Sequence, residues 1–100
     1  MIILLTTVPK KSDALSLAKK LVGKKLAACV NIIKIESSVF RWKGKLANAR
    51  EFLLIIKTAR NYRAIESFIK INHPYELPEI ISLKVENGLK QYLKWIADSG

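Results

Sequence analysis

The stretch LAACVNIIKIESSVFRWKGKLANAREFLLIIKT, Leu26–Thr58, decides the fold. Its first part is rich in β-branched residues (Val30, Ile32, Ile33, Ile35), and Phe52–Ile56 is an unbroken apolar run. Both patterns predict strands. Lys43-Gly44 between them is a tight-turn signal. The whole reads as one long hairpin, with an outgoing strand from Leu26 and a return strand from Lys45 to Thr58. Ala27–Trp42 would span roughly 50 Å at about 3.3 Å per residue. A compact domain of this length has a radius of gyration of only about 13 Å. The tip, with Phe40, Trp42 and Leu46, is therefore expected to protrude. Protruding apolar strands need a cover. Pairing between hairpins of neighbouring subunits is the expected cover, and a bend at Glu36-Ser37-Ser38 that folds the tip back is the alternative.

Working outward, Ile2–Val8 is apolar or threonine and stops at Pro9, which predicts a central strand buried on both faces. A helix follows, with Ser12 as the expected N-cap and Ala14, Leu15, Ala18, Leu21 and Val22 as its apolar stripe. Gly23 is its expected stop. After the hairpin, Asn61 is placed to cap a second helix whose inward stripe is Tyr62, Ile65, Phe68 and Ile69. Pro74 and Pro78 bracket an irregular loop. Glu79–Val85 reads as a fourth strand, Glu86-Asn87-Gly88 as a turn, and Leu89, Tyr92, Leu93 and Ile96 as one face of a final helix. The fold class is α+β, a ferredoxin-like split βαβ sandwich of order βαββαβ plus a C-terminal helix, in one domain over 1–100.

Composition narrows the functional classes. The chain has 100 residues, half of them apolar, with one cysteine, which excludes a disulfide framework and a Cys-rich metal site. No apolar run approaches the ~20 residues of a membrane span. Met1–Leu5 reads as a strand start and not a signal peptide. The expected setting is cytoplasmic. The formal net charge is +10, from 18 Lys+Arg and 8 Asp+Glu, and residues 1–50 hold 11 of the basic residues but only Asp13 and Glu36 as acids. Such asymmetry raises nucleic acid as a partner. The first strand has no aromatic, however, and the third has Phe52 alone, so the stacking platform of an RNA-recognition motif is missing.

His73 is the only histidine. With Tyr75, Glu76 and Glu79 it sits on the proline-bracketed loop, a set suited to a divalent cation such as copper or zinc. The alternative is that His73 and Tyr75 pin the loop by hydrogen bonds. Glu86 also belongs to this acidic stretch of sequence. Cys29 lies in an apolar strand and reads as a buried packing thiol. Lys57, at a strand end, could bind an anion, and Trp42 is either an interface anchor or a ligand wall. There is no Gly-rich phosphate loop and no nucleophile–base set, so an enzyme is not expected.

Several motifs resemble the CutA divalent-cation-tolerance family. They are Lys25–Asn31, the Phe40-Arg41-Trp42-Lys43-Gly44 pattern, Glu51–Thr58, His73-Pro74-Tyr75-Glu76-Leu77-Pro78-Glu79-Ile80-Ile81, and Gly88 with Tyr92–Ile96, in register along the chain. The resemblance implies a PII-like homotrimer joined by its long hairpins. It implies a divalent cation or small ligand in clefts between subunits, not obligatory for folding, and no firm enzymatic activity. By position, His73, Glu79 and Glu76 are the implied metal ligands, and Trp42, Lys57, Tyr75 and Cys29 line the implied cleft. Some relatives carry cysteine where this chain has Thr6, and histidine where it has Asn72, so two soft or borderline ligands are absent. A PII-like sensor of a small anion, using Lys57, is the second reading.

Overall fold

The structure, a computed structural model, describes residues 1–99. Its elements are β1 (Ile2–Val8), α1 (Lys11–Gly23), β2 (Cys29–Trp42), β3 (Lys45–Thr58), α2 (Tyr62–Asn72), β4 (Ile81–Lys84) and α3 (Lys90–Ser99). The strands form one antiparallel sheet in the order β2-β3-β1-β4. The long hairpin is present as expected. Lys43 and Gly44 both have positive φ, 51° and 78°, in a two-residue loop closed by the pair Trp42–Lys45. That backbone matches the right-handed twist of the flanking strands, and glycine adopts it without a Cβ clash. The molecule measures 45 × 25 × 23 Å with a radius of gyration of 14.1 Å, the elongation coming from the projecting hairpin.

Residue alternation sorts the sheet into two faces. Leu4, Val8, Leu54 and Ile56 point to the helices and pack with Ala14, Leu17, Ala18, Leu21, Ile65 and Ile69 in a fully closed core. Ile3, Leu5, Leu53, Ile55, Ile33 and Ile35 lie on the opposite face by register. There they are only half-buried or exposed, as are Ile81 and Leu83 of β4. The expectation that Ile2–Val8 is buried on both faces thus holds on the helix side, and on the open side only at Thr7, within one chain. Its apolar run is continuous because both faces are apolar, not because both are covered.

The second helix starts as expected, since Asn61 Oδ1 accepts the Arg63 N–H at 2.8 Å. The first does not. Its N-cap is Lys10, without a side-chain cap bond, and Ser12 lies inside the helix. Leu17 is buried there, while Leu15 and Val22 are exposed, so the inward stripe is rotated from the expected one. Its C-terminus closes through Leu26 N–H to Leu21 O with Lys25, not a glycine, at φ 59°. β2 starts at Cys29 and not at Leu26, because the Leu26 and Ala27 N–H groups still bond back to Leu21 O at the end of α1. β4 is shorter than expected, four residues against Glu79–Val85, because only Ile81–Lys84 find partners on β1.

Replacing Asn61 by Ala is expected to cost about 1 kcal/mol in denaturant unfolding, whereas Ser12→Ala changes stability by less than about 0.5 kcal/mol. Equal losses in the two variants would contradict the cap assignment.

Candidate functional site

A β-bulge decides what the open face presents. Ile35 pairs with Glu51 and Ser38 with Ala49, so Glu36 and Ser37 together oppose Arg50. The extra residue shifts the alternation of β2 by one. Before it, the odd residues share the face of Glu51. After it, Ser38, Phe40 and Trp42 do, through the pairs Ser38–Ala49, Phe40–Ala47 and Trp42–Lys45. The bend considered from Glu36-Ser37-Ser38 is therefore a bulge, and the strand continues outward.

The 73–80 loop crosses the end of β1 and faces this region. His73 Nε2 lies 2.8 Å from Thr7 O, and Tyr75 N–H donates to Nδ1 at 3.0 Å. A carbonyl can only accept, so Nε2 carries the proton and Nδ1 is the acceptor in the neutral ring. The ring also packs on Tyr75, with centroids 5.2 Å apart. Tyr75 OH in turn donates to Glu51 Oε2 at 2.8 Å. Glu51 is only 9% exposed. Burial first, and then the Glu51 bond, push the Tyr75 phenol up to about 12, so it stays a donor.

Loop, bulge and hairpin enclose an open groove of about 620 Å³. Its carboxylates are Glu51, Glu76 and Glu79, and its aromatic walls are Phe40, Trp42 and Tyr75. Val39 and Leu77 add aliphatic surface, and no lysine or arginine lines it. Glu51 is the residue that sequence reading missed. Its signal was a lone acid at the head of the apolar run Phe52–Ile56, which strand alternation places on the face opposite Phe52.

The expected site residues separate into two groups. Trp42, Tyr75, Glu76 and Glu79 meet at the groove. Lys57 and Cys29 do not. Twelve residues of β3 separate Lys57 from the Trp42–Lys45 pair, about 40 Å at roughly 3.3 Å per residue. Lys57 Nζ donates to Tyr92 OH at 3.3 Å and lies 5.6 Å from that ring's centroid. Beside it is a small pocket of about 170 Å³ between β1, the Val85–Gly88 turn and α3. Cys29, opposite Lys57 in the ladder, is half-exposed and not buried, with Asn31 Oδ1 4.0 Å from its sulfur. Glu86 follows β4 at the Met1 end of the sheet, away from His73, since Val85 N–H bonds to Met1 O.

The implied metal set is not preassembled. No group of three or more His, Cys, Asp or Glu side chains among the described residues is placed to hold a metal ion. His73 has both nitrogens engaged, which is the loop-pinning arrangement. Thr6, where some relatives carry cysteine, is fully buried opposite Leu54 on the helix side, with its hydroxyl unpartnered. A ligand there would point away from the groove. Asn72 closes α2 instead, donating to Phe68 O at 2.9 Å.

Comparison with known proteins agrees in fold and sequence. The family profile described as CutA1 divalent ion tolerance protein matches residues 2–99. A Xenopus laevis protein named as a CutA homolog is 45% identical over 93 residues, which cover 92% of this chain and 62% of that protein. The chain thus spans about three fifths of that relative. The structure of the divalent cation tolerance protein from Thermus thermophilus superposes with a TM-score of 0.93 at 37% identity, covering 99% of this chain and 98% of that one. The Archaeoglobus fulgidus structure, described as a periplasmic divalent cation tolerance protein, also gives 0.93, at 40% identity and the same coverage.

Burial holds His73 below its usual 6.5, against the opposing pull of Thr7 O, Asp13 and Glu51. The unfolded chain then binds the proton more readily, so stability present above 6.5 is lost as pH falls towards the folded value. The denaturation midpoint of the wild type is expected to fall between about pH 7.5 and about pH 5.5, above the range of ordinary carboxylates. His73→Gln should flatten that slope. An unchanged slope in the variant would remove the assignment.

Proposed function

The chain belongs to the CutA1 divalent ion tolerance protein family, and from that premise we propose that it is a non-catalytic cation-binding module working as a homotrimer. The observation that carries the cation reading is Glu51. Its carboxylate is buried in a groove shared with Glu76 and Glu79, and the single ion pair among the described residues, Lys94–Asp98, lies elsewhere. A buried charge without a counter-ion favours uptake of a cation. A divalent metal would have to draw the oxygens of Glu51, Glu76 and Glu79 together, since they do not converge on one point within the described residues, with His73 positioning Tyr75. A cytoplasmic setting is part of the same proposal.

The strand order fits a ferredoxin-like split βαβ. The open sheet face supports assembly. Ile33 is 47% exposed, Ile81 52% and Leu83 55%, next to half-buried Ile3, Leu5, Leu53 and Ile55. A contiguous apolar face of this kind marks an interface. The hairpin tip adds Trp42 and Leu46. Three copies follow from the family resemblance, and in such an assembly Trp42 of one copy can approach Lys57 of another, which one chain does not allow. The second reading, a small-anion sensor, is favoured by Lys57, which bonds to Tyr92 and not to a carboxylate, beside the pocket at Gly88. A rise in melting temperature with inorganic phosphate and none with copper would select it.

Sedimentation should give three times the 11.3 kDa chain mass, and Leu46→Asp at the hairpin tip should lower it. A monomeric wild type would overturn the assembly. In copper titration calorimetry, a Glu76→Gln, Glu79→Gln double variant should weaken binding about tenfold or more, as for loss of charged partners. Undiminished binding would move the metal site elsewhere.

A further inference from the structure

We propose that the outer face of the helix layer binds double-stranded nucleic acid through its phosphate backbone, without reading its sequence. This surface is separate from the groove and does not depend on the cation reading. Lys10, Lys11, Lys19, Lys20, Lys24 and Lys25 are all exposed along α1 and the turns at its two ends, and Arg63 and Lys70 are exposed on α2. The acids of the two helices, Asp13 and Glu66, are half-buried, and Glu66 accepts from Tyr62 OH at 2.7 Å. Every exposed charge on these helices is therefore positive. The single ion pair among the described residues is Lys94–Asp98, so none of these lysines, nor Arg63, has an acidic partner there. Lys20 Nζ reaches the neutral Asn72 Oδ1, at 3.4 Å.

Helix stability does not account for this placement. Lys20, Lys24 and Lys25 stand in or just after the last turn of α1, where cations suit the dipole. Lys10 and Lys11 stand at the opposite, positive end, where cations are disfavoured, and Lys10 is an N-cap without a side-chain bond. Arg63 repeats this on α2, whose first turn holds no acid. Arg60 Nε donates to Lys25 O at 3.1 Å and so holds the approach to α2 against the end of α1, gathering basic residues from both helices at one corner. A polyanion outside the chain relieves the mutual repulsion of such a surface. The assembly proposed above uses the opposite face of the sheet and would leave this layer open.

The shape and chemistry of the face favour a duplex. α1 is about 20 Å long at 1.5 Å per residue, a length over which duplex DNA carries about a dozen phosphate charges. Between the cations the exposed residues are small, with Ser12, Ser16 and Gly23 on α1 and Ala64 and Ser67 on α2. Small residues let a backbone approach, and serine hydroxyls donate to phosphate oxygens. A single strand needs aromatic faces to stack on. The aromatics of this layer, Tyr62 and Phe68, pack against the core instead. A lipid surface needs bulky apolar side chains to insert. Leu15 and Val22 are 40% and 41% exposed, and Ile71 alone stands clear, at 82%.

The probe is a fluorescein-labelled DNA duplex of about 20 base pairs, followed by anisotropy from about 50 to about 200 mM salt. Saturable binding is expected, alike for two unrelated sequences and falling steeply as salt rises. The double variant Lys19→Gln, Lys24→Gln should weaken it about tenfold or more and make the log–log salt slope shallower by about two. Both sites are exposed, so the fold is kept, and circular dichroism checks it. The double variant Lys45→Gln, Lys90→Gln removes the same charge from the hairpin and α3 and should leave that slope unchanged. No binding at about 50 mM salt overturns the proposal. The same loss in both variants also overturns it, because net charge alone would then carry the binding. Vesicles of anionic phospholipid bound while the duplex stays free would overturn it in favour of a membrane.

Discussion

Between Ile35 and Ser38, β2 has two residues where β3 has only Arg50. That single offset controls the molecule's chemistry. Strand alternation has period two, so one inserted residue exchanges the faces of everything beyond it. With the offset, Phe40 and Trp42 stand on the face of Glu51. Without it, Val39 and Arg41 would stand there, and the aromatic side chains would lie on the other side of the hairpin. The bulge therefore places Phe40 and Trp42 on the face that carries Glu51. It also makes the ladder polar at that point, through Lys34, Glu36 and Arg50, which line a shallow space of about 260 Å³.

The same alternation explains why one face of the sheet is left uncovered within the chain. On the helix face, Leu4, Leu54, Ile56, Ile65 and Ile69 are fully buried, and a closed core of this kind supports folding. On the other face an equally apolar set has no covering layer within the chain. The burial that stabilises one face is thus available to association on the other, at about 25 cal/mol per Å² of apolar surface removed from water. Folding draws on one side of the sheet, and the proposed assembly draws on the other. The loop pinned by His73 stands at its edge, so the groove is shaped by both.

Most of the fold was legible because it follows from local rules. Ile2–Val8, the Lys43-Gly44 turn, the return strand Lys45–Thr58 and the Asn61 cap each rest on residues that act on their nearest neighbours. The misreadings share a different origin. Ser12 is a good capping residue, but the helix starts two residues earlier, with Lys10 as its N-cap. Leu15 and Val22 fit a helical stripe as well as Leu17 does, and only packing against the sheet selects among rotations. Glu79–Val85 has strand character throughout, but β1 offers partners to four residues only. The site was half legible. Trp42, Tyr75, Glu76 and Glu79 were read correctly as neighbours. Glu51 was missed because its burial depends on Tyr75, 24 residues away. Lys57 stands apart from Trp42 within one chain because a straight strand carries its two ends apart, and the implied cleft lies between subunits.

The proposed cation site on a strongly basic chain poses an electrostatic question, and the layer structure answers it for the lysines of the helix layer. The lysines of α1, Lys19 and Lys20, and those after it, Lys24 and Lys25, belong to the helix layer, on the other side of the sheet from Glu51. Packed layers stand about 10 Å apart, and the Debye length at physiological ionic strength is about 8 Å. Repulsion from that surface falls with distance and with the hydration of its lysines, while Glu51, Glu76 and Glu79 act at contact distance. Exposed lysines are further weakened by water, whereas the charge of Glu51 is nine-tenths out of it. The near and buried charges outweigh the distant and solvated ones. Net charge thus describes how the protein meets large polyanions at a distance, and the groove's own acids decide the sign of what it holds.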